Sequence, residues 1–227
     1  MREYNYIGSE LDLFAKATRW KSYWRSFLAP MIAGDVLEVG AGIGSNTRTL
    51  SELPVKSWTC LEPDGQLCAR IPRELAVTII NGSIADLPAV PSYDTIVYID
   101  VLEHIENDKA ELEGAFRLLR KAGHLCVLAP AHQGLFTAFD AAIGHYRRYS
   151  KESLKGVGPP MGQLTTLAYL DCAGMLASIG NRILLKQAAP TERQIATWDR
   201  YLVPISRRLD RVLGFTIGKS VVGVWKA

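Results

Sequence analysis

The sequence has few cysteines, and none are spaced like a metal or redox site. Its 227 residues include four cysteines without a C-x-x-C pair, and Cys60 and Cys126 fall inside apolar, strand-like runs. This argues against a disulfide framework or structural zinc and favours a reducing compartment. The first residues lack a basic-then-apolar signal, and no apolar run is long enough to span a membrane. We therefore expect a cytoplasmic protein.

Positively and negatively charged side chains are almost equal in number. Lys and Arg total 26 against 23 Asp and Glu, so the composition does not favour nucleic acid as the main partner. Hydrophobic residues make up 48% and charged residues 22%, as in globular rather than disordered proteins. No repeat or linker divides the chain, and its length fits a single domain over residues 1–227. The sequence leaves the oligomeric state open.

Short aliphatic or β-branched runs alternate with helical patterns between residues 35 and 129. This alternation predicts βαβ units and a parallel sheet. The clearest helix begins after Asn107 and is predicted to extend to about residue 121, before Gly123. Two further runs come late in the chain. The seven predicted strands are 35–39, 56–61, 76–80, 94–99, 124–129, 163–170 and 220–225.

The most informative stretch is DVLEVGAGIGSNT, residues 35–47. An apolar strand leads directly into Gly40, Gly42 and Gly44, and glycines let the backbone turn tightly and approach a ligand. Free N–H groups at the start of the next helix would face an anionic group. Glu62 follows about twenty residues later, where a carboxylate can accept hydrogen bonds from two ribose hydroxyls. Together these features predict an adenosine-containing cofactor.

The stretch EVGAGIG, which begins at Glu38, resembles motif I of the class I S-adenosylmethionine-dependent methyltransferases. The resemblance continues through LEPD at 61–64, NGSIADLP at 81–88 and YIDVLEHI at 98–105, and it covers about residues 10–170. It implies a Rossmann-like α/β fold. Its seven-stranded sheet would have the order 3-2-1-4-5-7-6, mostly parallel with the last strand antiparallel, and helices on both faces.

The resemblance also implies roles at the cofactor site. The three glycines would line the methionine moiety, Glu38 would organise its surroundings, and Glu62 would hold the ribose. Ser83 and Ile84 would flank the adenine. Relatives often have an acidic residue where this chain has Ser83, and Asp86 is a candidate substitute.

A second cluster is predicted at the ends of strands four and five. Asp100, Glu103 and His104 stand at i, i+3 and i+4, so one helical turn would place them on a common face. Ubiquinone-pathway and small-RNA 2′-O-methyltransferases have similar spacing and add a histidine from the loop after strand five. His132 and His145 lie in that loop, and His145 matches better by position.

The cluster allows several kinds of chemistry. Asp100, Glu103, His104 and His145 together suit one divalent cation, such as Mn²⁺, Co²⁺ or Mg²⁺. Without a metal, His104 or His145 could act as general base. In the alternatives, Asp100 points toward the cofactor, or His104 only forms hydrogen bonds within the fold.

Two arginines follow His145 in the motif HYRRYS. Arg147 and Arg148 are predicted to bind a carboxylate or phosphate of the acceptor, because guanidinium groups suit both. Two arginines on a solvated loop are the alternative.

Two helical segments are expected to cover the site. The first, residues 1–30, includes Trp20, which stands where relatives often have an aromatic residue over the cofactor; core packing is the alternative role. The second, residues 172–213, is predicted to cap the acceptor and to break or kink at Pro204. Its basic face also suits peripheral contact with anionic lipid. Its predicted buried face consists of Ile195, Trp198, Leu202, Ile205 and Leu209.

The leading hypothesis is S-adenosylmethionine-dependent O-methylation of a small-molecule or lipid-linked acceptor. N- or C-methylation on the same fold is the nearest alternative. An NAD-dependent oxidoreductase is disfavoured because GAGIG places its third glycine one residue early for a dinucleotide motif. A non-catalytic binding protein is disfavoured by the intact Glu38, glycine and Glu62 positions.

Overall fold

The computed structural model describes residues 10–181 and 190–227. Parts of the predicted N-terminal segment (1–9) and of the predicted cap (182–189) therefore lie outside the described residues. Within the described ranges, no helix is both long and apolar enough to cross a membrane. The four cysteines are unpaired. The strands are β1 (Asp35–Val39), β2 (Ser57–Glu62), β3 (Thr78–Asn81), β4 (Tyr93–Ile99), β5 (Leu119–Pro130), β6 (Gln163–Leu170) and β7 (Ser220–Lys226).

The helices precede, connect and cover these strands. A π-helical turn, Trp198–Leu202, joins two of them. The α-helices are α1 (Glu10–Ala15), α2 (Thr18–Leu28), α3 (Ser45–Leu50), α4 (Gly65–Cys68), α5 (Asp108–Arg117), α6 (Ala138–Ala142), α7 (Lys151–Val157), α8 (Cys172–Gly180), α9 (Glu192–Thr197) and α10 (Val203–Val212).

The strands form one sheet in the order β3-β2-β1-β4-β5-β7-β6. The neighbours from β3 to β5 pair in parallel, and β7 runs antiparallel to both β5 and β6. The predicted topology is confirmed. The strand ends also match to within a few residues, apart from the start of β5.

β5 begins at Leu119, five residues before the predicted start, and α5 ends at Arg117. The helix predicted to reach residue 121 is therefore too long. Arg120 donates hydrogen bonds to Asp35 (2.7 Å) and Asp94 (2.8 Å). These bonds fix the early part of β5 to the amino ends of β1 and β4, in place of another turn of α5.

Alternate residues of each central strand face two separate cores. Val97 and Ile99 of β4 pack with the aromatic residues of α2 on one face of the sheet. Ile96 and Tyr98 pack with α5 and α7 on the other face. Because both faces are covered, the central strands contain almost continuous apolar runs.

Two carboxylates fasten α2 to the helices near the end of the chain. The N-cap residue of α2, Ala17, has no side-chain oxygen, and Asp199 accepts hydrogen bonds from the N–H groups of Arg19 (3.2 Å) and Trp20 (2.8 Å) instead. Asp210 accepts hydrogen bonds from the Tyr23 hydroxyl (2.7 Å) and from backbone N–H groups at the start of α8. These bonds place α2, α8 and α10 on one face of the sheet.

The predicted buried face of residues 195–209 is correct in its first half and wrong in its second. Ile195 and Trp198 are buried, but Ile205 and Leu209 are 46% and 43% exposed. The π-helical turn adds a residue to one turn and so rotates the following helix by about 100°. It interrupts the α-helix just before Pro204, which falls in the first turn of α10, where its missing N–H costs little.

Candidate functional site

The carboxyl ends of the central strands open into a cavity of about 880 Å³. The glycine loop after β1 lines one part of it, and the segments after β4 and β5 line another. Residues of α2, α8 and α9 complete the wall. Both predicted covering segments therefore contribute to the cavity, at the sheet edge where α/β proteins bind their ligands.

The three glycines of the loop all adopt left-handed backbone conformations. Their φ angles are +67° at Gly40, +56° at Gly42 and +75° at Gly44, a region that disfavours residues with a Cβ atom. A Cβ on Gly40 would lie 2.6 Å from Val101, so that glycine is needed for packing. A Cβ on Gly42 would meet nothing closer than Leu11 at 3.8 Å, so the space beside Gly42 is left open for a ligand.

Two buried glutamates hold the loop in place. Glu62, at the end of β2, accepts hydrogen bonds from the N–H groups of Gly42 (2.8 Å) and Asp64 (3.0 Å). Glu38, at the end of β1, accepts hydrogen bonds from the Thr47 hydroxyl (2.7 Å) and the Trp58 indole (2.9 Å). Burial raises the pKa of both carboxyls, that of Glu38 to about 7 despite these donors.

The predicted adenine-flanking residues form a short turn after β3. Ser83 begins a single 3₁₀ turn that contains Ile84, and the Asp86 carboxylate accepts hydrogen bonds from both the N–H and the hydroxyl of Ser83 (2.8 Å each). Glu62, Ser83 and Ile84 are not among the residues that line the cavity. The cavity therefore corresponds to the methionine half of the predicted cofactor site and to the space beyond it.

Helix α2 contributes the predicted Trp20 and an unpredicted lysine. Trp20 lines the cavity while packing on Trp198, with ring centroids 5.8 Å apart, so it both covers the site and belongs to the core. The neighbouring Lys21 also lines the cavity and is buried. Burial lowers the pKa of Lys21 to about 8, although the charges of Asp100 and Glu38 oppose this shift.

The two acids after β4 differ in their surroundings. Asp100 has a φ of +55° and lines the cavity, and desolvation by the surrounding protein raises the pKa of its carboxyl, while Lys219 opposes this shift. Glu103 is 1% exposed. In the part of the chain that the structure describes, neither of its carboxylate oxygens has a hydrogen-bond partner. Burial and the charge of Asp100 raise the pKa of Glu103 well above its ordinary value.

His145 comes from the loop after β5 and meets His104, with ring centroids 4.4 Å apart. Its Nδ1 lies 3.1 Å from Asp140, and its Nε2 lies 3.8 Å from Glu103. An ionised carboxylate can only accept, so Nδ1 donates to Asp140 and Nε2 carries the free lone pair. Burial lowers the pKa of His104 to about 3, with a contribution from His145.

Asp140 is a further residue of this site that could not be predicted from the sequence. It accepts hydrogen bonds from His145 and Arg148 through one oxygen and from Thr137 through the other. Burial acts to raise its pKa, but His145 and Arg148 outweigh burial and hold the pKa well below its ordinary value. The motif TAFD, residues 137–140, signals the capping box that starts α6. It gives no sign of contacts with residues 145 and 148.

The remaining predicted residues separate into two groups. Arg148 lines the cavity, but Arg147 does not: it forms an ion pair with Asp108 (2.7 Å) and donates to the Glu106 carbonyl. The expectation that both arginines face the acceptor is therefore corrected for Arg147. His132 lies 3.0 Å from the Gly218 carbonyl and stacks on Tyr169, outside the cavity lining.

Comparisons with known proteins agree with this geometry. Residues 37–125 match the family described as "Methyltransferase domain". Over these residues the chain is similar to methyltransferase domains. The matched residues run from β1 into β5 and contain the glycine loop, Glu62, Asp100 and Glu103.

Solved structures share the whole fold at low identity. An S-adenosylmethionine-dependent methyltransferase from Mesorhizobium loti is 14% identical, with a TM-score of 0.63 over 95% of this chain and 100% of that chain. One from Archaeoglobus fulgidus is 14% identical, with a TM-score of 0.62 over 96% and 97%. The N-methyltransferase NodS from Bradyrhizobium japonicum, in complex with S-adenosyl-L-homocysteine, is 13% identical, with a TM-score of 0.59 over 96% and 89%. At these identities the likeness extends to the fold.

Proposed function

We propose that this protein is a methyltransferase that transfers the methyl group of S-adenosylmethionine to an oxygen atom of a small-molecule or lipid-linked acceptor, with His145 as the general base. The observation that carries the proposal is the Asp140–His145 hydrogen bond. It fixes His145 with Nε2 toward Glu103, in the cavity that the glycine loop also lines. A hydroxyl acceptor benefits from such a base, whereas an amine that is already neutral needs none.

The chain's residues act by position and by proton transfer. S-adenosylmethionine, when bound, supplies the methyl group on a sulfonium centre. His145 Nε2 takes the proton of the acceptor hydroxyl, and the oxygen forms the new bond to the methyl carbon as the carbon–sulfur bond breaks. Asp140 holds the ring in one orientation and stabilises the imidazolium that forms. Alignment of the acceptor in the cavity supplies much of the remaining rate enhancement.

The residues at the glycine loop fit S-adenosylmethionine. The open space at Gly42 admits a ligand close to the backbone. Glu62 uses one lone pair on each carboxylate oxygen for the loop and keeps others for ribose hydroxyls. Asp100, a cavity carboxylate, suits the methionine ammonium group, and Lys21 suits the methionine carboxylate. Ser83 and Ile84 would flank the adenine.

N-methylation remains the second candidate. Two proteins with the same fold, NodS and coclaurine N-methyltransferase, are N-methyltransferases by name. Screening extracts by mass spectrometry, with S-adenosylmethionine carrying a deuterated methyl group, identifies the product and the atom that is methylated. A labelled methyl ether that is lost with His145→Gln supports the proposal. A labelled amine formed at the wild-type rate by His145→Gln contradicts it.

A divalent cation is the alternative use of the same cluster. Glu103, His104 and His145 each offer a ligand atom, and these atoms lie within 4.8 Å of one another. The unpartnered oxygens of Glu103 fit such an ion. Asp100 is not part of this close group, which favours its role toward the cofactor. A bound cation would lower the pKa of an acceptor hydroxyl without a base.

Titration with Mn²⁺, followed by electron paramagnetic resonance, tests the cation directly and needs no acceptor. A site made by this cluster binds Mn²⁺ in the wild type and loses it in Glu103→Gln. Glu113→Gln, on α5, is the matched control. Absence of saturable binding in the wild type contradicts the site and leaves His145 as base.

The exposed face of the cap supports contact with a membrane surface. Val212 is 82% exposed, beside the exposed Ile205 and Leu209 on α10. The same helix presents exposed arginines that form no ion pair within the described residues: Arg207, Arg208 and Arg211. An apolar stripe next to a basic stripe suits the interface of an anionic bilayer. A cytoplasmic location likewise remains a prediction.

Co-sedimentation with phosphatidylglycerol vesicles tests this surface. We expect binding at low salt that falls in the double variant Ile205→Ser and Leu209→Ser and at high salt. Phosphatidylcholine vesicles serve as the uncharged control. Failure of the wild type to sediment with phosphatidylglycerol at low salt contradicts membrane contact.

A further inference from the structure

Lys219 is a cavity lysine that neither the sequence motifs nor the proposed chemistry uses. It stands immediately before β7, and its backbone is fixed on both sides. Its N–H donates to the Asp171 carbonyl (3.1 Å), and its carbonyl accepts from the N–H of Ala131 (2.8 Å). The side chain lines the cavity, with Nζ 4.8 Å from the centre of the Trp198 ring. The ammonium group is therefore held at the cavity wall rather than free on the surface.

This ammonium group lacks a carboxylate of its own. Within residues 10–181 and 190–227, no carboxylate oxygen lies within the 4.0 Å ion-pair distance of its Nζ. Two of the three nearby acids, Asp171 and Asp140, are already hydrogen-bonded to other groups, and the third, Asp100, lies beyond ion-pair distance. Asp171 accepts hydrogen bonds from Trp198 (2.7 Å) and Ser206 (2.6 Å), while Asp140 is bonded to His145 and Arg148. Burial lowers the pKa of Lys219, as expected for a cation removed from water without a close partner.

The cavity as a whole carries a positive excess. The described residues that line it include four cations, Lys21, Arg148, Arg193 and Lys219, and three acids, Asp100, Glu103 and Asp140. Counted with their ordinary charges, four positive groups face three negative ones. S-adenosylmethionine has a sulfonium, an ammonium and one carboxylate, and it therefore adds a further positive charge. An anionic acceptor offsets this excess, whereas a neutral one leaves it unchanged.

We propose that Lys219 and Arg148 form a subsite for an anionic group of the acceptor, either a carboxylate or a phosphate. Arg148 lies close enough to Lys219 for their charges to interact, and both line the acceptor side of the cavity with His145. Asp140 takes two donors of Arg148 through Nε and one terminal nitrogen, which leaves the other terminal nitrogen for a ligand. Lys219 supplies the uncompensated charge. The subsite rests on the proposed function, since it names the class of acceptor.

Ligand binding tests the subsite separately from catalysis. The full chain, saturated with S-adenosylhomocysteine, is titrated by ligand-observed NMR with benzoate, phenyl phosphate and benzyl alcohol. We expect at least one anion to bind about 10-fold more tightly than benzyl alcohol, the gain expected from a charge-assisted hydrogen bond. Lys219→Met removes this preference and Lys219→Arg retains it. Lys226→Met, on the exposed end of β7, is the matched control.

The outcomes separate the two proposals. Comparison of benzoate with phenyl phosphate shows which anion the subsite takes. Equal affinity of the wild type for the anions and for benzyl alcohol overturns the subsite, as does an unchanged preference in Lys219→Met. S-adenosylhomocysteine affinity, measured in every variant, confirms that the fold is intact. Anion preference in a protein whose labelled product is an amine would leave the subsite standing and contradict only the O-methylation mechanism.

Discussion

The two sides of the cavity differ in how their buried polar groups are paired. The cofactor side lies at the glycine loop, and the acceptor side lies around His145 and Lys219. At the glycine loop, both oxygens of Glu62 accept backbone N–H groups, and Glu38 accepts two side-chain donors. On the acceptor side, Glu103 has two oxygens without partners, and Lys219 has no carboxylate at ion-pair distance within the described residues. Buried polar groups without partners are costly in a folded protein. The glycine loop is therefore held by the protein's own groups, whereas the acceptor side leaves buried groups that the proposed ligand would complete.

Gly42→Leu is the strongest way to break the cofactor side alone. The Cβ atom of the new side chain would meet no protein atom closer than Leu11 at 3.8 Å, so we expect folding to survive. Steric exclusion should weaken S-adenosylhomocysteine binding by at least about 100-fold, the equivalent of about 2.7 kcal/mol. Calorimetric titration measures the loss.

The matched control for this variant is Gly214→Leu. Gly214 has a similar φ of +60° and nothing within 4 Å of its hypothetical Cβ, but it lies outside the cavity lining. It carries the same backbone strain without filling the site. Equal binding by the two variants would show that the space at Gly42 is not used by the cofactor.

His145→Gln breaks the acceptor side and spares the cofactor side. Loss of a general base lowers kcat by roughly 100-fold or more, while S-adenosylhomocysteine binding stays at the wild-type value. The measurement is methyl transfer to the identified acceptor, with His124→Gln as control, because His124 lies on β5 away from the cavity lining. A wild-type rate for His145→Gln would remove the proposed base.

The pH dependence of stability tests the cofactor side through Glu38. This buried carboxylate is costly to ionise even though it accepts two hydrogen bonds. Burial raises its folded-state pKa from 4.5 to about 7, so the free energy of unfolding should fall as pH rises from about 4.5 to above 7. The penalty is on the order of 3 kcal/mol when ionisation is complete. Lys21 and Glu62 are the charged groups that face it.

Urea unfolding of the wild type and Glu38→Gln across this pH range measures the effect. The variant should lack this component of the pH dependence. Parallel curves for the two proteins would show that Glu38 keeps an ordinary pKa in the folded state.

Asp86→Ala is expected to have the smallest effect. The carboxylate holds the Ser83 turn through two hydrogen bonds, but the turn is exposed and lies outside the cavity lining. Loss of about 1 kcal/mol corresponds to roughly 5-fold weaker S-adenosylhomocysteine binding. A loss of 100-fold would instead make Asp86 a direct adenine ligand.

Most of the cofactor side could be predicted from the sequence because that side is local in the chain. Strand, glycine loop and helix follow one another within thirteen residues, and each glycine has a backbone reason to be there. The strand order followed from the family resemblance and is confirmed. The observed boundary between α5 and β5 differs from the predicted one because the hydrogen bonds from Arg120 to Asp35 and Asp94 are tertiary contacts.

The acceptor side could be predicted only in part for the same reason. The spacing of Glu103 and His104 predicted two members of the cluster. Position in the loop after β5 favoured His145 over His132 as the third. Asp140, Lys21 and Lys219 were missed because they come from three separate segments that meet only in the folded chain. Arg147 was expected at the acceptor because sequence proximity to Arg148 does not show which way each side chain points.

The π-helical turn at Trp198–Leu202 has a consequence for comparing this protein with its relatives. A single added residue produces such a turn, so a relative with a regular α-helix here would be one residue shorter. An alignment that places this gap outside the turn would match the buried Val203, Ser206 and Asp210 with residues of the relative that are not equivalent to them. The Tyr23–Asp210 hydrogen bond marks the correct placement, because a shifted alignment would separate that tyrosine from its carboxylate.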